Sequence, residues 1–410
     1  MPVVAARCGV QSEDTLSYLD VESSITTSAL MLLWNTLRLR SGNPEMRRKA
    51  IETLNPGDPR TQERLQTGLS DEDFGVRCAA VKVCAQCKED KSVDALVVAL
   101  NDCSSEVREA AAIGLAHIGD SRADRRLASL LKDSHPGVRS AAAGALRSLG
   151  WKASTREEQA SFDVALGHAR VAAFAGQAAV KALVTDLKHD TSFQRRAAAE
   201  ALGEVDDPRA RGPLLAALAD EDPTVRVSAI HALGKDCNGD VTAKLVALFQ
   251  DADRRVKLAA AEVLAKQIDP SLAPDFLGLL RDSNFEVRLA AVQFLGRIQD
   301  PELAGALLPL LADPDSDVRQ AVAQALGTIG APVAIEALVL AMTDEERAVR
   351  QAAELALGRI DSNWAYSEAA QHASAQLEAS LNDQRGWVRS AAAIVMAKLH
   401  APMGGVQSAT

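Results

Sequence analysis

A Val-Arg pair returns every 31 residues along much of this chain, and a period of that length constrains the fold more than any single residue does. The pair stands at Val76-Arg77, Val107-Arg108 and Val138-Arg139, then at Val225-Arg226, Val256-Lys257, Val287-Arg288, Val318-Arg319 and Val349-Arg350. Gln194-Arg195 and Val388-Arg389 follow their predecessors by 56 and 39 residues, which leaves extra segments of 25 and 8 residues. Met46-Arg47 opens a degenerate copy.

Six residues before the basic position stands an aspartate: Asp71, Asp102, Asp133, Asp220, Asp251, Asp282, Asp313, Asp344 and Asp383. The Arg195 copy departs, with His189 in that place and Asp190 beside it. After the basic residue comes an Ala-rich stripe such as Val225, Ala229, Ile230 and Leu233, whose spacing buries one face of a helix. Asp-Pro pairs at Asp58-Pro59, Asp207-Pro208, Asp269-Pro270 and Asp300-Pro301 announce another helix before it, an N-cap acceptor followed by a residue preset for the first turn. Each unit therefore reads as a helical hairpin. Neither helix hides its apolar stripe alone, so neighbouring hairpins must stack. Leu-Gly pairs such as Leu295-Gly296 and Leu326-Gly327 put a residue without a side chain near the end of the second helix, where backbones can approach closely.

The Asp-x5-Arg signature and the VRxxAAxALGxI pattern of the second helix resemble the short HEAT-like repeats named after phycobiliprotein lyases, over roughly residues 43 to 400. The resemblance implies an all-α fold, a right-handed α-α superhelix of about ten to eleven two-helix repeats. Residues 1–24 are expected to be a flexible tail and 25–42 a capping helix containing Trp34. Repeats fill 43–151, an irregular helical insertion 152–176, repeats with a C-terminal cap 177–400, and a flexible tail 401–410. The second interruption, Asp361 to Leu381, is expected to lengthen the first helix of the last repeat.

Composition removes several function classes. Net charge is -10 with a pI near 5.3, so no general positive field draws the chain onto nucleic acid or anionic lipid. No stretch of 18 apolar uncharged residues occurs, and the first twenty residues lack a basic region leading into an apolar one. The expected location is the cytoplasm. Six cysteines, Cys8, Cys78, Cys84, Cys87, Cys103 and Cys237, are too few and too scattered to staple this length and read as reduced thiols.

Catalytic signals are weak in turn. Aspartates and arginines that recur in register read as a structural ladder, in which the Asp caps the second helix and accepts from the Arg of its own or the adjacent repeat, because an active site assembles unlike groups locally. Cys84 and Cys87 have a zinc-like spacing, but Cys78 and Cys103 fall at helix positions about 15 Å or more away, so no metal is expected. A relative of this repeat type, deoxyhypusine hydroxylase, holds a di-iron centre with His-Glu pairs just after the Val-Arg position. Here those slots read Cys78-Ala79, Glu109-Ala110, Ser140-Ala141 and Leu258-Ala259, and no His-Glu dipeptide occurs anywhere. The seven histidines are scattered, and no G-x-S-x-G elbow is present. No catalytic residue and no cofactor is assigned.

What remains is the outward stripe of the second helices, which lines the concave side if the array curves as its relatives do. One residue after the basic position it presents Val227, Leu258 and Leu289, and then Gln320 and Gln351. Four residues further come His231, Glu262, Gln293, Gln324 and Leu355. Near the helix ends Lys235, Lys266, Arg297 and Arg359 form a broken basic edge, although cations there also stabilise the helix dipole without any ligand. The expected function is a non-enzymatic scaffold that holds a protein partner along this ribbon, with neither nucleic acid nor membrane as partner. The alternative implied by the resemblance is a bilin lyase-like or chaperone-like factor presenting a tetrapyrrole or its acceptor protein. A backbone-reading DNA repair protein of similar repeats would need a dense basic groove.

Overall fold

The computed structural model describes residues 36–58, 60–87 and 89–401. Most of the segment expected as a capping helix lies outside these residues, as does Trp34; within them, residues 36–39 are helical. The two tails assigned to 1–24 and 401–410 also lie outside, apart from Ala401. Among the described residues there are helices and no strands, and the fold is an α-α solenoid. The chain divides into two compact units, up to Asp190 and from Thr191.

The first unit holds α1 (Pro44–Glu52), α2 (Thr61–Leu69), α3 (Phe74–Cys84), α4 (Asp90–Ala99), α5 (Ser105–Ile118), α6 (Asp124–Leu130) and α7 (Pro136–Ser148). The first insertion then supplies α8 (Arg156–Ala165) and α9 (Ala169–Ala173), and α10 (Val180–Asp186) follows. Thr155 caps α8 by accepting from the Glu158 N–H at 3.1 Å, and the Trp151 ring packs against Phe162 with centroids 5.6 Å apart. That contact fixes the insertion to the end of α7. In this unit α1, α3, α5 and α7 are the second helices, and each packs directly on the next.

The second unit begins with the second helix α11 (Ser192–Glu204) and continues with the pairs α12 (Arg211–Ala217) and α13 (Pro223–Leu233), then α14 (Gly239–Ala247) and α15 (Arg254–Ala265). Next come α16 (Ala273–Leu279) with α17 (Phe285–Ile298), α18 (Ala304–Leu307) with α19 (Ser316–Ile329), and α20 (Ile335–Ala341) with α21 (Arg347–Ile360). The last stretch holds α22 (Glu368–His372), α23 (Ser374–Ser380) and α24 (Gly386–Leu399). The core is aliphatic apart from Trp364 and a row of three phenylalanines, in which Phe249 meets Phe276 edge-on at 5.1 Å and Phe276 stacks on Phe294 at 3.8 Å between centroids. The second interruption does not lengthen one helix. Ser367 accepts from the Ala370 N–H at 3.2 Å and so starts a separate short helix, and the buried Trp364 precedes it in a 3₁₀ turn.

The Asp-Pro pairs at Asp207, Asp269 and Asp300 start 3₁₀ turns that lead into the first helices. In Asp207, Asp269 and Asp300 the carboxylate accepts from the backbone N–H two residues on, at 2.8, 2.9 and 3.0 Å. The Asp column does not cap the second helices, contrary to what its position suggests. The capping residues stand two places later, at Asp73, Asp253, Asn284 and Asp315 among others. The column aspartate instead accepts from the N–H of the capping residue, as Asp102 does from Ser104 at 2.8 Å and Asp313 from Asp315 at 2.9 Å. It is thereby set to face the preceding repeat.

There it meets an arginine. Arg77 grips Asp102 through Nε and Nη2 at 2.8 and 2.9 Å, and Arg108, Arg195, Arg288 and Arg319 grip Asp133, Asp220, Asp313 and Asp344 in the same two-point fashion. The degenerate copy joins fully, since Arg47 holds Asp71 with both bonds at 2.7 Å. Lys257 replaces the fork by one bond to Asp282 at 2.6 Å. Nη1 of Arg77, Arg108, Arg288 and Arg319 meanwhile donates to the Asp carbonyl of its own turn, as from Arg319 to Asp313 at 2.9 Å, while Nη1 of Arg47 donates to the Ser41 carbonyl. Across the first insertion the partner is neither His189 nor Asp190. It is Asp186, at the end of α10 and 2.9 Å from Arg139, with both side chains buried.

Candidate functional site

The second-helix face of the second unit carries a recess of about 490 Å³ between α15, α17 and α19, lined in part by expected site residues. Its floor is small and apolar. Ala290, Ala321 and Ala325 let the three helices sit close, and Gly296 removes the last obstacle, because a Cβ there would stand 2.6 Å from that of Ala325. The rim is polar: Glu262 and Lys266 from α15, Gln293 and Arg297 from α17, and Gln324 and Thr328 from α19. Five residues read from the sequence, Glu262, Lys266, Gln293, Arg297 and Gln324, thus meet around one opening.

The others do not. Val227, Leu258 and Leu289 are half-buried against their neighbours and line no part of the recess. His231 and Lys235 are exposed one repeat earlier on α13, and Leu355 and Arg359 are exposed on α21. The basic edge also splits by role. Lys235 donates to the Gly203 carbonyl, and Arg297 reaches the Ala265 carbonyl at 3.1 Å, so both satisfy the C-terminal end of the preceding second helix. Lys266 and Arg359 have no such partner among the described residues.

Sequence reasoning missed the floor. On α17 the lining positions Ala290, Gln293, Phe294 and Arg297, with Gly296 beside them, form an i, i+3, i+4, i+7 stripe that begins two residues after the basic position instead of one. The column of small residues at that place, Ala290 and Ala321, was the available signal.

No reactive constellation accompanies the recess. Among the described residues, no group of three His, Cys, Asp or Glu side chains is placed to hold a metal. Cys84 is buried and donates to the Ser92 carbonyl at 3.6 Å, and burial pushes its thiol up to about 11, away from the reactive thiolate. Cys103 is exposed and lies 3.4 Å from Nη2 of Arg77, at the edge of a ladder rung. No described helix is long and apolar enough to cross a membrane.

Comparison with known families decides the class of protein. The model for HEAT repeats matches six overlapping stretches, residues 33–104, 93–161, 155–234, 178–265, 242–311 and 304–397. The chain is a HEAT-repeat protein. Among solved structures this HEAT-repeat chain is similar to an engineered protein at 22% identity, covering 84% of this chain and 99% of that one with a TM-score of 0.37. It is similar to the Escherichia coli protein YibA at 17% identity, covering 71% and 97% with a TM-score of 0.33. It is also similar to a Kap121p mutant at 15% identity, covering 90% and 45% with a TM-score of 0.36. A comparison with curated proteins finds no match.

Proposed function

We propose that this HEAT-repeat protein is a non-enzymatic scaffold that holds a segment of a partner protein on the second-helix face of its second unit. The recess between α15, α17 and α19 carries this reading, because three successive repeats contribute exposed amide, carboxylate and ammonium groups around an apolar floor. Such a surface suits an extended chain, whose backbone the Gln293 and Gln324 amides serve while small side chains enter the floor. Belonging to a repeat family supports it by analogy, since stacked hairpins make long surfaces more readily than enclosed active sites. Free thiols at Cys78, Cys84, Cys87, Cys103 and Cys237 suit the cytoplasm as the place of work.

Photo-crosslinking tests it. With p-benzoylphenylalanine at Gln324, irradiated cells are expected to give a discrete protein adduct, which the same group at exposed Arg125 on α6 does not give. Equal labelling at both positions, or none at either, would remove the recess as a binding place. A purified protein that carries a bound pigment would favour the bilin-handling alternative instead.

A further inference from the structure

One joint of the second unit breaks the pattern of all the others. From α11 to α21 each second helix packs directly on the next, whereas α21 and α24 scarcely touch. The glycine column shows the same break. A Cβ on Gly327 would stand 2.6 Å from the Ala356 backbone, but one on Gly358 would meet nothing within 4 Å. The ladder breaks there as well. Nη1 of Arg350 is anchored to the Asp344 and Glu345 carbonyls at 2.6 and 2.8 Å, just as Arg319 is anchored in its own turn. Yet no carboxylate among the described residues meets the Nε and Nη2 edge of Arg350. Its counterpart Asp383 is taken by Arg385, which occupies the capping position and donates from Nε and Nη2 at 2.9 and 3.0 Å.

The gap is a cleft of about 450 Å³. Arg347, Arg350 and Glu354 line one wall, and Trp387, Ile394 and Lys398 the other. Lys398 pairs with Glu354 across the gap, which leaves the Arg347 and Arg350 guanidiniums facing the cleft without a carboxylate among the described residues, on a chain whose net charge is -10. Trp387, with the Arg385 guanidinium 5.2 Å from its ring centroid, is 40% exposed and Ile394 58%, so the opposite wall still offers apolar surface.

We infer that this cleft binds a partner-protein segment in which an Asp or Glu stands beside a large apolar residue. The carboxylate takes the place of the absent rung on Arg350, and the apolar side chain covers Trp387 and Ile394. The fork geometry that six other arginines use on Asp fits a planar carboxylate, and the apolar wall selects a peptide over a free anion. The site is separate from the recess at α15 to α19, so either can fail alone.

Random dodecapeptides displayed on phage are panned on the full chain, and enriched sequences are labelled with fluorescein and titrated by fluorescence polarisation. An acidic residue next to Leu, Ile, Phe or Trp is the expected motif, with affinity reduced tenfold or more by Arg350→Gln and by amidation of the peptide acid. Arg350→Lys keeps the charge without the fork and gives a smaller loss. Ile394→Glu, at an exposed position, lowers affinity to the same extent as Arg350→Gln and guards against a folding defect, which thermal melts check in each variant. Arg125→Ala, at an exposed position on α6, leaves binding unchanged. An acid-free motif, no enrichment, indifference to both cleft variants, or displacement by an equimolar single-stranded oligonucleotide would each overturn the assignment.

Discussion

At the residue scale, the Asp–Arg rungs are the repeated decision of this molecule, and their geometry says what each is worth. Asp313 is nearly enclosed, accepts two bonds from Arg288 at 2.7 Å and one from the Asp315 N–H, and gives its carbonyl to Arg319. Asp313→Ala strips the partner from a mostly buried guanidinium, and the expected loss is about 3–5 kcal/mol by urea denaturation. A loss under about 1 kcal/mol, the range of exposed pairs, would mean that solvent already screens the rung. Both columns were legible in the sequence, because a residue repeated in register must serve the array. Their wiring was not. That the carboxylate serves the preceding repeat's arginine and the turn, and not the helix it precedes, depends on where two chain segments 25 residues apart come together. Asp186 was invisible for the same reason: it lies nine residues before Arg195, not six, and only the path of the insertion brings it to Arg139.

At the scale of elements, the second helices are held apart by what their small residues allow. Gly327 faces the Ala356 backbone, so Gly327→Ala forces a contact that flexible side chains cannot relieve. Helix propensity favours alanine by about 1 kcal/mol, yet overpacking costs about 1–3 kcal/mol, and the sum is a net loss. Gly358→Ala, in the same column but facing open space, keeps only the propensity term and should stabilise by about 0.5–1 kcal/mol. Chemical denaturation of the two variants side by side checks the pair. Equal effects of one sign would show that α19 and α21 are not in close contact. The Leu-Gly motif signalled close packing from sequence alone, but it could not say which glycine lacks a neighbour. The last repeat's extra segment changes where α24 stands, and no residue on α21 records that change. The recess shows the same limit: the rows five and nine residues after the basic position meet at its rim, but the first row was read at Leu289 where the lining begins at Ala290, about 100° round the helix.

At the scale of the whole molecule, the rungs recur in both units, and their titration is therefore shared. Burial works to raise Asp71, Asp102, Asp133, Asp282 and Asp313, but bonds from the facing arginine or lysine and from the turn N–H outweigh it and hold all five below the ordinary carboxylate range. The capping Asp222 and Asp253 are held at about 2, chiefly by side-chain bonds from Thr224 and Arg255 respectively. A carboxylate whose folded value is depressed contributes stability that is whole above its unfolded value of 3.8 and is lost as pH falls through the folded one. Asp186 runs the other way: burial outweighs Arg139 and raises it, so protonation favours its folded environment. Asp124 is raised as well, by burial and by the neighbouring Asp120, and two opposing groups against seven do not reverse the sum. The thermal midpoint should be level from pH 7 to about 5 and then fall between about pH 4 and 2, more steeply than one carboxylate would give. Salt separates these rungs from surface charge: because the paired side chains are largely withdrawn from solvent, 1 M NaCl at pH 7 should shift the midpoint little. A midpoint that stays level to pH 2.5, or that drops sharply in salt at neutral pH, would show that the carboxylates are solvated and that the apolar stacking of hairpins holds the array without them.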